Sequence, residues 1–257
     1  MTKKKLAFNE ISINADDFGY SVDINKAIVR CFQLGLIHRT SLMVNMPGFS
    51  DAISIIKSNQ LISKNTGLHI NITEGYPLSE PIKSCKQFCD NSGKFIYKRK
   101  KPVFFLKKYE KDALYQEMIA QMESFTSGGL KPSHLDSHHH IHTEWAVFKL
   151  MVRLGKAYSI RKIRLARNSG TQSGYLKTLY RFLLNGYLKY YSNSAGSDSF
   201  GSLNDTGDLL STIGYKRKLI EIMVHPRLDN NNDIIDSDQQ QLQKTLAVII
   251  PKYFNEK

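Results

Sequence analysis

Hydrophobic positions follow two alternating patterns along most of the chain. Short apolar or every-second-residue runs at Glu10–Ala15, Ser41–Asn45, Leu68–Ile72, Lys162–Arg167 and Leu219–His225 predict strands. Spacing of three and four residues predicts helices over Val22–Leu34, Phe49–Lys57, Lys111–Phe125, Glu144–Leu154 and Tyr175–Tyr191. The histidine-rich stretch His134–His142 reads as a further strand. A short helix over Asp205–Ile213 and a closing helix over Asp238–Phe254, ended or kinked by Pro251, complete the series. Two segments break the alternation: a Gly/Ser-rich loop, Ser192–Asn204, and the irregular Glu74–Tyr109, with breaks at Pro77, Pro81, Gly93 and Pro102. An irregular segment of that length in a compact domain usually serves the site, for example as a lid.

Alternation of this kind predicts an α/β fold with a parallel sheet. Six strands and a weaker seventh suit a TIM-like (β/α) barrel, incomplete at about seven strands. An open doubly wound sheet is the alternative. The polar motifs favour the barrel, because each falls at or just past the C-terminal end of a strand, where barrel enzymes assemble their sites.

At 257 residues the chain suits one domain, residues 1–257. No apolar run reaches the roughly 20 residues that cross a bilayer. No apolar stretch follows the basic start Met1–Lys5, so no signal peptide is expected. Cys31, Cys85 and Cys89 form no disulfide or zinc pattern, which points to reduced thiols and a cytoplasmic setting.

The net charge of +13 is unevenly spread. Trp145–Ser197 holds ten Lys and Arg and no acid, and the acid-free run Asn91–Tyr109 holds seven more. Such a field attracts nucleic acid, phosphorylated substrates or an anionic membrane surface, or simply solvates a face. The nucleic-acid reading is the weakest, since the basic runs fall on no recognition element.

Five of the eight histidines lie in His134–His142, where strand alternation would put His134, Asp136, His138, His140 and His142 on one face. Imidazole is the commonest metal ligand near neutral pH, and Asp136 could orient one such ring. Asp16 and Asp17 are neighbours, so both can face one site only where the strand ends and the chain turns at Phe18-Gly19. There one carboxylate could bind a metal and the other act as a base. His69 shares a polar strand face with Asn71 and Thr73. His225, held extended by Pro226, suits a general acid at a strand mouth or a plain strand cap. Asn45, His140 and Arg164 are the candidate substrate-binding residues. Together these read as the parts of a metal-dependent hydrolase.

Four motifs in order, Asn14-Ala15-Asp16-Asp17-Phe18-Gly19, the run from Gly67 to Gly75, the run from His134 to His142, and Val224-His225-Pro226, resemble the YdjC-like carbohydrate deacetylases. The resemblance implies a variant (β/α) barrel that removes acetyl groups from N-acetylated sugars with one divalent metal. It implies Asp17, His69 and His138 as ligands, Asp16 as the base and His225 as the acid. It also implies Mg²⁺, whereas an Asp/His/His set by softness suits Zn²⁺. Arg227 departs from the small residue the family often carries after His-Pro, which leaves the substrate mouth open to change.

The expected substrate is an N-acetylated hexosamine, carried on a polyprenyl phosphate or part of a chito-oligosaccharide. A phosphoesterase on the same barrel is the competing enzyme. The aromatic, basic helix Tyr175–Tyr191 has the make-up of an interfacial segment or of a helix packed on the barrel with snorkelling lysines. Expected partners are the sugar, an anionic membrane surface touched peripherally on its cytoplasmic side, and a second copy in a homodimer.

Overall fold

The computed structural model describes residues 11–97, 104–127, 129–169, 174–192, 196–206, 209, 219–237 and 241–249. Six parallel strands form one sheet: β1 (Ile11–Phe18), β2 (Arg39–Leu42), β3 (Thr66–Ile70), β4 (Leu135–Ser137), β5 (Ser199–Ser202) and β6 (Ile220–Val224). Their spatial order is β4-β3-β2-β1-β6-β5. Because all run the same way, their C-terminal ends share one rim. A two-stranded antiparallel ribbon, β7 (Arg227–Leu228) and β8 (Ile234–Ile235), follows β6.

Alternation along β1 sends Ile11, Ile13 and Ala15 to one face and Ser12, Asn14 and Asp16 to the other, all buried. The apolar face packs on helices. On the polar face, Asn14 donates to Ser41 Oγ at 2.9 Å, and Ser41 donates to Asp136 Oδ2 at 2.8 Å. Arg164 touches Asp136 on β4 and Glu221 on β6 at once. On a flat sheet those strands would lie roughly 19 Å apart, so the sheet is curled into part of a barrel with its polar face inside.

The helices are α1 (Val22–Gln33), α2 (Phe49–Ser58), α3 (Gln60–Lys64), α4 (Glu80–Lys83), α5 (Lys108–Thr126), α6 (Trp145–Ala157), α7 (Tyr175–Ser192) and α8 (Leu242–Ile249). Ser21 caps α1 by accepting from Ile24 N–H, and Ala27, Ile28, Cys31 and Phe32 form its buried side. On α5, Gln121 bonds both backbone groups of Asn71, and Glu117 accepts from the amides of Leu78 and Ser79. One helix thereby anchors the loop that follows β3.

Several sequence expectations change. The histidine-rich strand stops at Ser137, and residues His138–Thr143 form a tight 3₁₀ turn with His139 and His140 in the left-handed region (φ 51° and 52°). Ser137 Oγ stabilises the turn by accepting from His142 N–H at 2.9 Å. Lys162–Arg167 is extended but pairs only once, at Leu135 and Ile163. Its backbone is satisfied elsewhere: Asn185 of α7 bonds both the N–H and the C=O of Ala166. Asn168 then links the segment to Phe200 of β5, so 162–168 fills the gap between the sheet's edges without being a strand.

In place of that strand, β5 forms inside the expected Ser192–Asn204 loop. Gly201 makes it hard to read, yet a Cβ there would come within 2.8 Å of Asp205 Oδ2. The main sheet therefore has six strands among the described residues, an incomplete barrel. The expected helix over Asp205–Ile213 and the ends of the closing helix lie largely outside the described residues. No helix among the described residues is long and apolar enough to cross a membrane.

Candidate active site

The site is built where β1 ends. Register shifts between Ala15 and Phe18, and Asp17 adopts φ 69°. This bulge, one residue earlier than the turn expected at Phe18-Gly19, brings two adjacent carboxylates to one side. A non-glycine residue there costs about 1–3 kcal/mol and persists only when its surroundings hold it. Gly19, at φ 87°, completes the turn, and its amide donates to Asn25 Oδ1 at 2.7 Å. A Cβ on Gly19 would lie 2.5 Å from the Met43 carbonyl oxygen.

Two imidazoles converge on Asp17. His138 Nδ1 lies 2.9 Å and His69 Nε2 3.4 Å from Asp17 Oδ1. The other nitrogen of His69, Nδ1, is 2.7 Å from Asp136 Oδ1, which fixes the ring's direction. Asp17, His69 and His138 place their donor atoms close enough to share one ion.

Asp17 Oδ1 is buried without a well-formed hydrogen bond, as a donor set aside for a cation would be, while the unbonded His138 Nε2 faces Glu74. Burial opposes ionisation of Asp17, but the His138 and His69 rings outweigh it and hold the carboxyl well below the usual range. Burial likewise opposes charge on His69, yet Asp136 and Asp17 push it up to about 10. The negative field that favours a proton at His69 Nε2 favours a divalent cation at the same place. Around it lie four carboxylates, Asp16, Asp17, Asp136 and Glu221; among the described residues Arg164 is the permanent cation that pairs with Asp16, Asp136 and Glu221.

Arg164 does not touch substrate space. It is buried beneath the site and binds Asp16 with two parallel bonds of 2.6 and 2.7 Å. It also lies 2.9 Å from Asp136 and 2.6 Å from Glu221. The sequence expectation of a substrate contact gives way to a positioning role, because Lys162–Arg167 runs under the site and its inward residue meets three carboxylates. Asp16 is thus oriented by Arg164 and by Asn14 Nδ2 at 2.8 Å. Its burial would raise its pKa, but Arg164 dominates and lowers it.

A cleft of about 430 Å³ opens over these groups, lined by Asp16, Asp17, His69, His138, His140 and His225. Asn45 is not among its lining residues; it accepts from Asn71 Nδ2 and donates to the Tyr76 carbonyl, bracing the loop after β3. His140 does line it, and burial together with Arg164 pushes its pKa down to about 3, so it is neutral. His134 and His142 turn away. His134 packs over Gly67, where a Cβ would strike its ring at 2.5 Å, and His142 bonds Ser137. The expected five-member polar face therefore divides at the turn after His138.

Sequence reasoning missed Tyr20, Glu74, Tyr97 and His139, which also line the cleft. Glu74 Oε1 lies 3.6 Å from both His138 Nε2 and His139 Nε2. Tyr97 stacks on His139 with centroids 4.0 Å apart, so the irregular Glu74–Tyr109 segment supplies one wall. A signal existed only for Glu74, which lies in the loop just after β3, close to the motif around His69. Arg227 lines the opening from the ribbon after β6.

Fold and site define a parallel α/β protein with an Asp/His/His cluster at the C-terminal rim of its sheet. The family model described as YdjC-like protein matches residues 10–255, and the chain belongs to that family. It is 32% identical over 217 residues to a carbohydrate deacetylase of Geobacillus stearothermophilus, covering 83% of this chain and 78% of that one. It is 32% identical over 163 residues to a carbohydrate deacetylase of Brevibacillus brevis, covering 63% and 62% of the two chains. The corresponding match in Vibrio cholerae is 36% over 151 residues, 59% of this chain and 57% of the relative. The chain thus spans less than two thirds of the length of these last two relatives. A solved Enterococcus faecalis V583 structure, named for a proposed cellobiose-phosphate cleavage role, shares the fold with a TM-score of 0.69 at 20% identity, over 94% of both chains.

Proposed function

We propose that this protein is a metal-dependent deacetylase that hydrolyses the acetamide of an N-acetylated hexosamine, releasing acetate and the free amino sugar. The observation that carries the reading is the convergence of His69 and His138 on Asp17, beside a second carboxylate locked by Arg164. Its family and the names of its relatives support the sugar and the reaction.

Asp17, His69 and His138 would hold one divalent ion, whose chemistry is to polarise the acetamide carbonyl and acidify water. Mg²⁺ follows from the family resemblance, and two imidazoles with one carboxylate suit Zn²⁺. Asp16, kept ionised by Arg164, accepts the proton of the attacking water as its oxygen bonds to the carbonyl carbon. His225, just past the end of β6, the strand paired with β1, delivers a proton to the amine as the carbon–nitrogen bond breaks. Such proton transfers contribute about 10²–10⁴-fold each. Arg227 and Tyr97 frame the opening that receives the sugar.

The finer substrate reading is a hexosamine carried on a polyprenyl phosphate, supported by the basic, aromatic helix α7 packed beside the His138–Thr143 turn. Chito-oligosaccharides are the alternative. The test is acetate release from N-acetylglucosamine and N-acetylgalactosamine substrates, free, oligomeric and polyprenyl-phosphate-linked. Release should stop with chelator and return with metal. Asp16→Asn should keep metal binding by calorimetry and lose about 10²–10⁴-fold in turnover; normal turnover would remove Asp16 from the chemistry. Hydrolysis of phosphate esters with none of N-acetyl sugars would replace the whole reading with a phosphoesterase.

A further inference from the structure

Helix α7 carries large apolar side chains on its outer face as well as on its inner one. Leu176, Leu179, Phe182, Leu183, Tyr187 and Tyr190 fall within an arc of roughly 140°, and that arc faces water. Phe182 is 72% and Tyr190 86% exposed. The inward side holds Leu184, Leu188 and the polar Asn185, with the Tyr180 and Tyr191 hydroxyls donating to the carbonyls of Thr143 and Ile160. A helix on a protein surface normally shows the opposite pattern, polar outward.

The apolar surface continues beyond the helix. The ring of Phe104 meets that of Tyr180, and Phe105 beside it is 86% exposed. A contiguous patch of this kind marks an interaction site.

The surroundings of the patch say what covers it. Between Trp145 and Ser197 the chain has no acidic residue. Lys149 and Lys156 of α6 border Tyr187. At the C-terminal end of α7 a cleft of about 940 Å³ is lined by Lys156, Arg161, Lys189, Tyr187 and Tyr190. A second copy docked here would bring two basic rims together, which like charges oppose. Aromatic and aliphatic side chains ringed by lysine and arginine match instead the acyl boundary and anionic headgroups of a bilayer.

We propose that the outer face of α7, with Phe104 and Phe105, is a docking surface for an anionic phospholipid membrane. Tyr180 joins α7 to the turn that begins with His138, so docking sets the mouth of the cleft close to the bilayer surface. A sugar on a membrane-embedded lipid would be presented there. The surface itself needs neither metal nor substrate, so its test is separate from that of the deacetylase reading.

The full chain is mixed, with chelator and without sugar, with vesicles of phosphatidylcholine alone or containing phosphatidylglycerol. Binding is followed by sedimentation and by fluorescence of Trp145, the one tryptophan, which lies beside Phe148 and Lys149. Anionic vesicles should bind at low salt, shift Trp145 emission to the blue and release the protein at high salt. The double variant Phe182→Asp, Leu183→Asp should weaken partition roughly tenfold or more. Leu61→Asp, at an exposed leucine of α3 outside the patch, should leave it unchanged. Absence of binding to anionic vesicles at low salt overturns the proposal, as does equal binding by the double variant. A dimer in solution that the double variant dissociates, with no vesicle binding, assigns the face to a second copy and overturns it too.

Discussion

Inside the curled sheet, Asp16, Asp136 and Glu221 are charged groups almost wholly out of water; on the outside of α7, Phe182, Leu183 and Tyr190 stand in it. Each region departs from the usual distribution of polarity, and they depart in opposite directions. The interior is reconciled within the chain. Arg164 meets all three carboxylates, Asp136 also takes His69, and Ser41 joins Asp136 to Asn14. On α7, Tyr187 packs on Phe148, but Phe182, Leu183 and Tyr190 stay exposed, and the membrane proposed above would cover them. A buried charge is thus explained by its neighbours, whereas an exposed apolar face needs a ligand.

The comparison is broken most severely at Arg164. Arg164→Met keeps the bulk but strands three buried carboxylates, and stability should fall by about 3–5 kcal/mol. Thermal or urea unfolding measures this; a change under 1 kcal/mol would mean the network is not what holds the interior.

The next effect is a pH dependence. His69 is raised from its ordinary 6.5 to about 10. A group raised in the folded state adds stability that is complete below its unfolded pKa and disappears as pH climbs through the folded value. Chelated protein should therefore lose stability between about pH 6.5 and 10, by an amount on the order of a few kcal/mol. A divalent ion at Nε2 displaces that proton, so metal affinity should rise over the same window. Flat unfolding curves across this range in the presence of chelator would remove the proton from His69.

A milder change is Asp136→Asn, which retains the shape of the His69 partner and removes its charge. Metal affinity should drop about 10–100-fold, read by calorimetry, with the fold intact by circular dichroism. The smallest effect should come from the outer region: Phe182→Ser should leave stability within about 0.5 kcal/mol, since the ring is already in water. A large loss there would mean that Phe182 packs on something, and the contrast between the two regions would fail.

Much of the site is legible in the residues themselves. Asp16, Asp17, His69, His138 and His225 stand at or just past strand ends, and parallel strands put those ends on one rim, so these five members of the cleft's lining follow from order alone, while Tyr20, Glu74, Tyr97 and His139 do not. The secondary structure around them is less legible. Ser199–Ser202 carries one large apolar residue and a glycine demanded by Asp205, so nothing in its pattern marks a strand. Lys162–Arg167 has the pattern of a strand but loses its pairing to Asn185, a side chain nineteen residues beyond Ala166. His138 to His142 alternates as a strand would, until left-handed dihedrals at His139 and His140 turn the chain.

Period, composition and motif order were enough to determine the α/β class, the helix carrying aromatic and basic residues, and the donor types at the rim, since these depend on local chemistry repeated along the chain. Only the tertiary structure decided the rest. Arg164 became a clamp on Asp16 because the sheet curls far enough for one guanidinium to span β1, β4 and β6. Asn45 became a brace because the loop after β3 folds back on it. Asn185 of α7 was drawn inward to the backbone of Ala166 together with Leu184 and Leu188, which left Leu176, Phe182, Leu183 and Tyr190 facing water. Each depends on groups far apart in sequence meeting in space, and no local pattern encodes such a meeting.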